Sequence, residues 1–142
     1  MSLAEALMVR VLELLKADEV LKAEVRAFRL SEPLSLAEFP LIYVQLSPGL
    51  GEDFRPLTAS SYERTTHLDI CVVVRHVEAE EADRLALRLA ERVCQVLASD
   101  PTLGGAVEDA RIERLALEYG SLRESALARA RITLATRVMW RA

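Results

Sequence analysis

The sequence has no asparagine, two lysines (Lys16 and Lys22), two glutamines (Gln45 and Gln95) and two cysteines (Cys71 and Cys94). Each scarcity narrows the possibilities. Two cysteines without CxxC spacing argue against a zinc ribbon or a disulfide framework and read as small buried apolar residues. With lysine nearly absent, arginine carries the positive charge. The net charge of −4 argues against a general affinity for nucleic-acid phosphates. Scarce amides suit a hot environment, while a GC-rich genome produces the same bias towards Arg and Ala, and both readings stand. No apolar run approaches the roughly 20 residues that span a bilayer. Residues 1–15 carry Glu5, Arg10 and Glu13 and lack a basic start or a cleavage site, unlike a signal peptide. The expectation is a product made in the cytoplasm with no membrane attachment. What is present is ordinary: 142 residues, 51% hydrophobic and 28% charged, fit one globular domain spanning the whole chain.

Periodicity predicts the elements. Leu3, Leu7, Val11, Leu14 and Leu15 recur at helical spacing, with Ser2 as N-cap and Glu5 three residues on. Residues 18–30 fit either a helical extension or a short extended piece. Pro33 and Pro40 bracket a connecting stretch, and LIYVQL at 41–46 reads as an inner strand. Residues 47–61 (SPGLGEDFRPLTASS) read as a long loop, of a length that in compact domains often serves function. Residues 62–76 alternate as a long strand, with Val73 breaking the alternation and marking a second face that is covered near its end. Residues 78–99 carry one apolar stripe. Residues 111–119 and 127–141 form two strands joined by a short turn, hence antiparallel. The predicted fold class is α+β: a mainly antiparallel sheet of about four strands packed by two helices.

Catalytic patterns fail on spacing. His67, Asp69 and Cys71 offer a base, an acid and a thiol, but residues two apart on a strand stand almost 7 Å apart and point in parallel, which spreads ligands. A solvated or interface strand face is expected there. Pro48, Gly49, Leu50 and Gly51 match no phosphate-binding loop. The expectation is a protein that is not an enzyme and uses no cofactor or metal. The more suggestive feature is a row of arginines on the last strand, Arg129, Arg131 and Arg137, continued by Arg141. They share one face because strand side chains alternate. That face is either solvated or matched to something acidic: a second copy, or passing DNA.

The arrangement resembles the tail terminator (tail completion) proteins of long-tailed bacteriophages and related gene-transfer elements. The resemblance rests on the N-terminal helix at 2–17, FPLIYVQLSP at 39–48, the strand YERTTHLDICVVVRH at 62–76 followed at once by a helix, the exit DPTLGG at 100–105, and the closing ARARITLATRVMWRA. It implies a virion protein of the tail or neck that forms a hexameric ring. It also implies a ring that caps the tail tube, ends tube polymerisation and joins the tail to the head–tail connector protein, with DNA only passing through. The alternatives are another neck or joining protein, or a small ligand-binding regulatory domain. The candidate interface residues are Arg129, Arg131, Arg137 and Arg141 on the last strand and Gly49, Leu50, Gly51, Asp53, Phe54 and Arg55 in the loop. Two expectations follow. Replacing residues 49–57 with a short Gly-Ser linker leaves the fold intact and impairs assembly. Changing Arg129, Arg131 and Arg137 together to Gln leaves folding near normal.

Overall fold

The computed structural model describes residues 1–35 and 38–141 and, within the last strand, leaves the side chain of Arg141 outside the described part. Of the stretch between Pro33 and Pro40, residues 36 and 37 fall outside it. The elements are α1 (Leu3–Ala17), α2 (Glu19–Glu24), β1 (Ala27–Leu30), β2 (Leu41–Leu46), β3 (Glu52–Pro56), β4 (Ser61–His76), α3 (Ala79–Ala98), β5 (Asp109–Leu122) and β6 (Ser125–Arg141). The Ser2 hydroxyl caps α1 by accepting from the Glu5 N–H at 3.1 Å. Asp18 closes α1 and opens α2. Its carboxylate accepts from the Leu21 N–H at 3.1 Å and from Arg92 of α3 at 2.6 and 3.0 Å.

The expected sheet of about four antiparallel strands with two helices is corrected to a six-stranded mixed sheet with three helices among the described residues. The strand order is β1-β2-β4-β6-β5, with β3 paired to β4 beyond the end of β2. The parallel pair is β1 with β2. Three elements were hidden for physical reasons. α2 and β1 are too short to show a period. β3 (EDFRP) is polar and ends in proline, so it lacks the β-branched and aromatic signature. Its alternation of acid, aromatic and arginine nevertheless matches β4 across the pair: Phe54 lies opposite Arg64 and Arg55 opposite Glu63.

The supposed loop therefore resolves into a bulge, a strand and a tight turn. Ser47 N–H bonds the His67 carbonyl, and His67 N–H bonds the Gly51 carbonyl, at 2.8 and 2.9 Å. Thus β2 and β3 run as one interrupted strand along β4, with residues 47–51 looping out at His67. Gly51 adopts φ +56°, a backbone region that suits glycine.

The helices pack on one sheet face. Leu7, Val11, Leu15, Leu89 and Val93 meet Ile42, Val44, Leu68, Ile70, Val72, Ala130, Ile132 and Leu134, all buried. The opposite, outer face holds a second small cluster of Ala27, Leu41, Tyr43, Cys71 and Val73, with Phe39 against it. That cluster explains why Val73 breaks the alternation of β4. Of the residues between β1 and β2, Phe39 packs against the cluster and Glu32 accepts a bond from Arg129 at 2.8 Å.

Asp18 ties all three helices together. Asp18→Ala removes a helix cap and a two-bond ion pair, about 2 kcal/mol in all. Differential scanning calorimetry should show the melting temperature about 4–8 °C lower. An unchanged melting temperature would show that the junction is held by packing alone.

Candidate assembly surface

Two regions outside the helix-covered core gather the candidate residues. The first is the outer face of β4, β6 and β5. Cross-strand register sets Asp69 opposite Thr133, Cys71 opposite Arg131 and Val73 opposite Arg129, and sets Glu118 opposite Arg129 on the other side of β6. Arg131 donates to Asp69 Oδ2 at 2.8 Å and to Glu118 Oε1 at 2.7 Å. Asp69 Oδ1 also accepts from the Thr133 hydroxyl at 3.2 Å. Arg129 donates to Glu32 and lies over the Tyr43 ring, 5.7 Å from its centroid. Arg137 is half-exposed and stands 3.7 Å from Glu63. The row of arginines is thus matched by acids of the same chain: Glu32, Asp69, Glu118 and Glu63.

Of the strand face expected to be solvated or to serve an interface, Asp69 and Cys71 are buried by the chain itself, while His67 is partly exposed beside a groove. Asp69 is 2% exposed and Cys71 fully covered. Burial pushes the Cys71 thiol up to about 11, far from the range of a reactive thiolate. The same burial raises the Tyr43 phenol above its ordinary value. The His67 ring lies 3.2 Å from the Gly51 carbonyl and 3.6 Å from Glu113, which sits in a β-bulge of β5. His67, Asp69 and Cys71 therefore each have different neighbours and do not converge. Beside them is an open groove of about 830 Å³ lined by residues that include Pro48, Gly49, Leu50, His67, Glu113 and Arg114.

The second region is the far end of the sheet, where β3, β4 and β6 extend past the helices. Phe54 and Trp140 meet edge to face with centroids 5.8 Å apart, and Tyr62 lies 5.8 Å from Trp140. Arg64 stacks on Phe54 and makes a forked pair with Glu52 at 2.7 and 2.9 Å. Phe54, Leu57, Met139 and Trp140 are each at least 40% exposed, so this end presents apolar surface. Asp53 and Arg55 point to the other side of β3, where Arg55 pairs with Glu63 at 3.1 Å. Of the loop candidates, Gly49, Leu50 and Gly51 border the groove or the bulge beside it, while Phe54 joins the aromatic end. The side chain of Arg141 lies outside the described residues. Sequence reading missed Tyr62 and Trp140 as partners of Phe54, because the pairing depends on β3 being a strand.

Two carboxylates depend on arginine neighbours. The hydrogen bond from Arg131 holds Glu118 below its ordinary 4.5, and that from Arg92 holds Asp18 below its ordinary 3.8. A carboxylate with a depressed folded-state pKa stabilises the fold above its unfolded value and loses that contribution as pH falls through the folded one. The urea midpoint should therefore be flat above about pH 5 and fall steadily towards pH 3. Glu118→Gln should make that fall shallower. An equal fall in the variant would show that Glu118 carries none of the linkage.

The fold is a two-layer α+β domain with helices on one face and a sheet that overreaches them at one end. In comparison with solved structures it is similar to a chain described as "Virion of native gene transfer agent (GTA) particle", with a TM-score of 0.55, 18% sequence identity and 98% of each chain covered. At that identity the likeness is one of fold. No protein-family model and no curated protein matches the chain.

Proposed function

We infer that this chain is a structural subunit of a phage-like particle, of the tail terminator kind. Its copies close into a ring, six by the family resemblance, that caps the finished tail tube, ends its polymerisation and joins it to the head–tail connector. The observation that carries the reading is the end-to-end likeness of fold to a chain of a gene transfer agent virion. The exposed apolar side chains at the sheet end, Phe54 and Trp140 on one face and Met139 on the other, support it, because exposed apolar surface fits contact with another protein. The ion-paired arginines of the outer face have acids of their own, so the ring needs no nucleic-acid contact from them. Its partners in this reading are further copies, the tail tube protein and the connector; DNA only passes through, and no cofactor takes part.

Light scattering on the purified protein, alone and mixed with tail tube protein, tests the reading. A mass of about six copies, or rings at tube ends in negative-stain micrographs, is the expected result. A protein that stays monomeric in both settings and leaves tube length uncontrolled overturns it.

A further inference from the structure

Among the described residues β3 pairs with β4 alone, and the strand order β1-β2-β4-β6-β5 ends in two unpaired edges, β1 on one side and β5 on the other. Their directions follow from the pairings. β1 is parallel to β2, and the pairs β2–β4, β4–β6 and β6–β5 are antiparallel. β5 therefore runs opposite to β1. A second copy that brings its β1 alongside β5 meets it antiparallel, and the sheet continues without a break.

The side chains on the two edges are matched face by face. On β1, Phe28 and Leu30 register with Ile42 and Val44 of the helix-covered face, while Arg29 registers with Tyr43 of the outer face. On β5, Leu115, Leu117 and Tyr119 register with Ile132, Ala130 and Ala128 of the helix-covered face, while Ala116 and Glu118 register with Arg131 and Arg129 of the outer face. A continuing sheet keeps these faces aligned. With Arg29 set against the acidic Glu118, Leu30, 46% exposed, stands opposite Leu117 and diagonally between Leu115 and Tyr119, 37% and 68% exposed. α3 covers β4 and β6 and leaves Leu115 and Tyr119 open, whereas α1 lies over β1 and β2. The neighbour's α1 would arrive above those open side chains.

The backbone agrees. Monomeric proteins guard edge strands with charges, prolines and bulges. The first part of β5 has such guards: Arg111, the bulged Glu113 and Arg114. Residues 115–122 (LALEYGSL) have one charge, Glu118, and no proline. On β1 the Phe28 carbonyl takes a bond from its neighbour's own guanidinium, Arg29 Nη1, at 3.2 Å, a place that a strand N–H can fill.

We propose that the second half of β5 takes the β1 edge of another copy as an antiparallel strand, so that one sheet passes from subunit to subunit. The proposal rests on the ring reading above and supplies its contact. The contact is heterologous, head to tail, the kind that closes into a ring when the rotation fits.

Leu30→Asp and Leu115→Asp, made separately, test it by light scattering, with circular dichroism and melting as checks on the fold. Each is expected to weaken association at least tenfold while the fold persists. As a second measurement, Leu30→Cys protein is mixed under oxidising conditions with Leu115→Cys, Leu117→Cys or Tyr119→Cys protein carrying a mass tag. At least one mixture should give a crosslinked pair of unequal masses, and Leu30→Cys alone should give no pair through that position. A wild-type oligomer unaffected by both Asp changes, with no mixed crosslink, overturns the edge pairing and leaves the ring reading standing. A wild-type protein that stays monomeric with and without tube protein overturns both.

Discussion

Replacing Arg131 with glutamine should destabilise the protein by about 3 kcal/mol and lower its melting temperature by roughly 6–12 °C. Asp69 is 2% exposed on a sheet face that no helix covers. Its carboxylate is held by two bonds, from Arg131 to Oδ2 at 2.8 Å and from the Thr133 hydroxyl to Oδ1 at 3.2 Å. Glutamine leaves the carboxylate buried with one neutral hydrogen bond, and removing one partner of a buried ion pair is the costly way to break it. Arg131 is about a quarter exposed, which places the effect at the low end of the range for such pairs. The same change frees Glu118 from its 2.7 Å bond. Adding Asp69→Asn should recover much of the loss, since no charge is then left unpaired. Arg137→Gln is the contrast. Its side chain is 48% exposed and 3.7 Å from Glu63, so its loss should fall within about 0.5 kcal/mol. Thermal melting of the four proteins decides the matter. If Arg131→Gln melts with the wild type, Asp69 is held by something other than the arginine. The near-normal folding expected of the triple arginine change does not survive this geometry, because one of the three is a structural anchor.

The second large effect concerns residues 49–57. As a passive loop they could be exchanged for a short Gly-Ser linker with little change in stability. In the structure that exchange deletes β3. It removes the ladder with residues 62–66 of β4, uncovers Trp140, and strips Arg64 of both Glu52 and Phe54. Backbone hydrogen bonds at about 1 kcal/mol net each, together with the half-buried Phe54, put the loss near 3–4 kcal/mol. A fall in melting temperature of about 6–15 °C is expected, along with loss of assembly. Folding and assembly can be separated with Phe54→Ala, which keeps the strand and removes one ring of the aromatic end. Its stability should drop by only about 1–2 kcal/mol. If the linker variant melts unchanged, β3 contributes nothing to the fold. If Phe54→Ala assembles normally, the aromatic end is not a contact surface.

Much of this was legible in the chain itself. The N-cap at Ser2, the inner strand LIYVQL, the long alternation of β4, the apolar stripe of α3 and the closing hairpin all appear where periodicity puts them, because each is long enough, or apolar enough, for its local pattern to dominate. Val73 even marked the covered part of the outer face. The segments that escaped were short or polar. α2 and β1 hold six and four residues. β3 is a strand because β4 extends past the helices and offers it a ladder, and a partner far along the chain leaves no trace in local propensity. The arginines were visible as a row on one face, since side-chain alternation alone fixes that. Whether they faced water, a neighbour or their own chain depended on where Glu32, Asp69 and Glu118 came to lie. Those three residues are brought beside Arg129 and Arg131 by a parallel crossover and two antiparallel registers. Sequence by itself determined the helix faces and the long strands, through contacts between near neighbours. Tertiary structure decided the six-stranded order, the pairing of the charges and the open edges, because each depends on residues far apart in the chain.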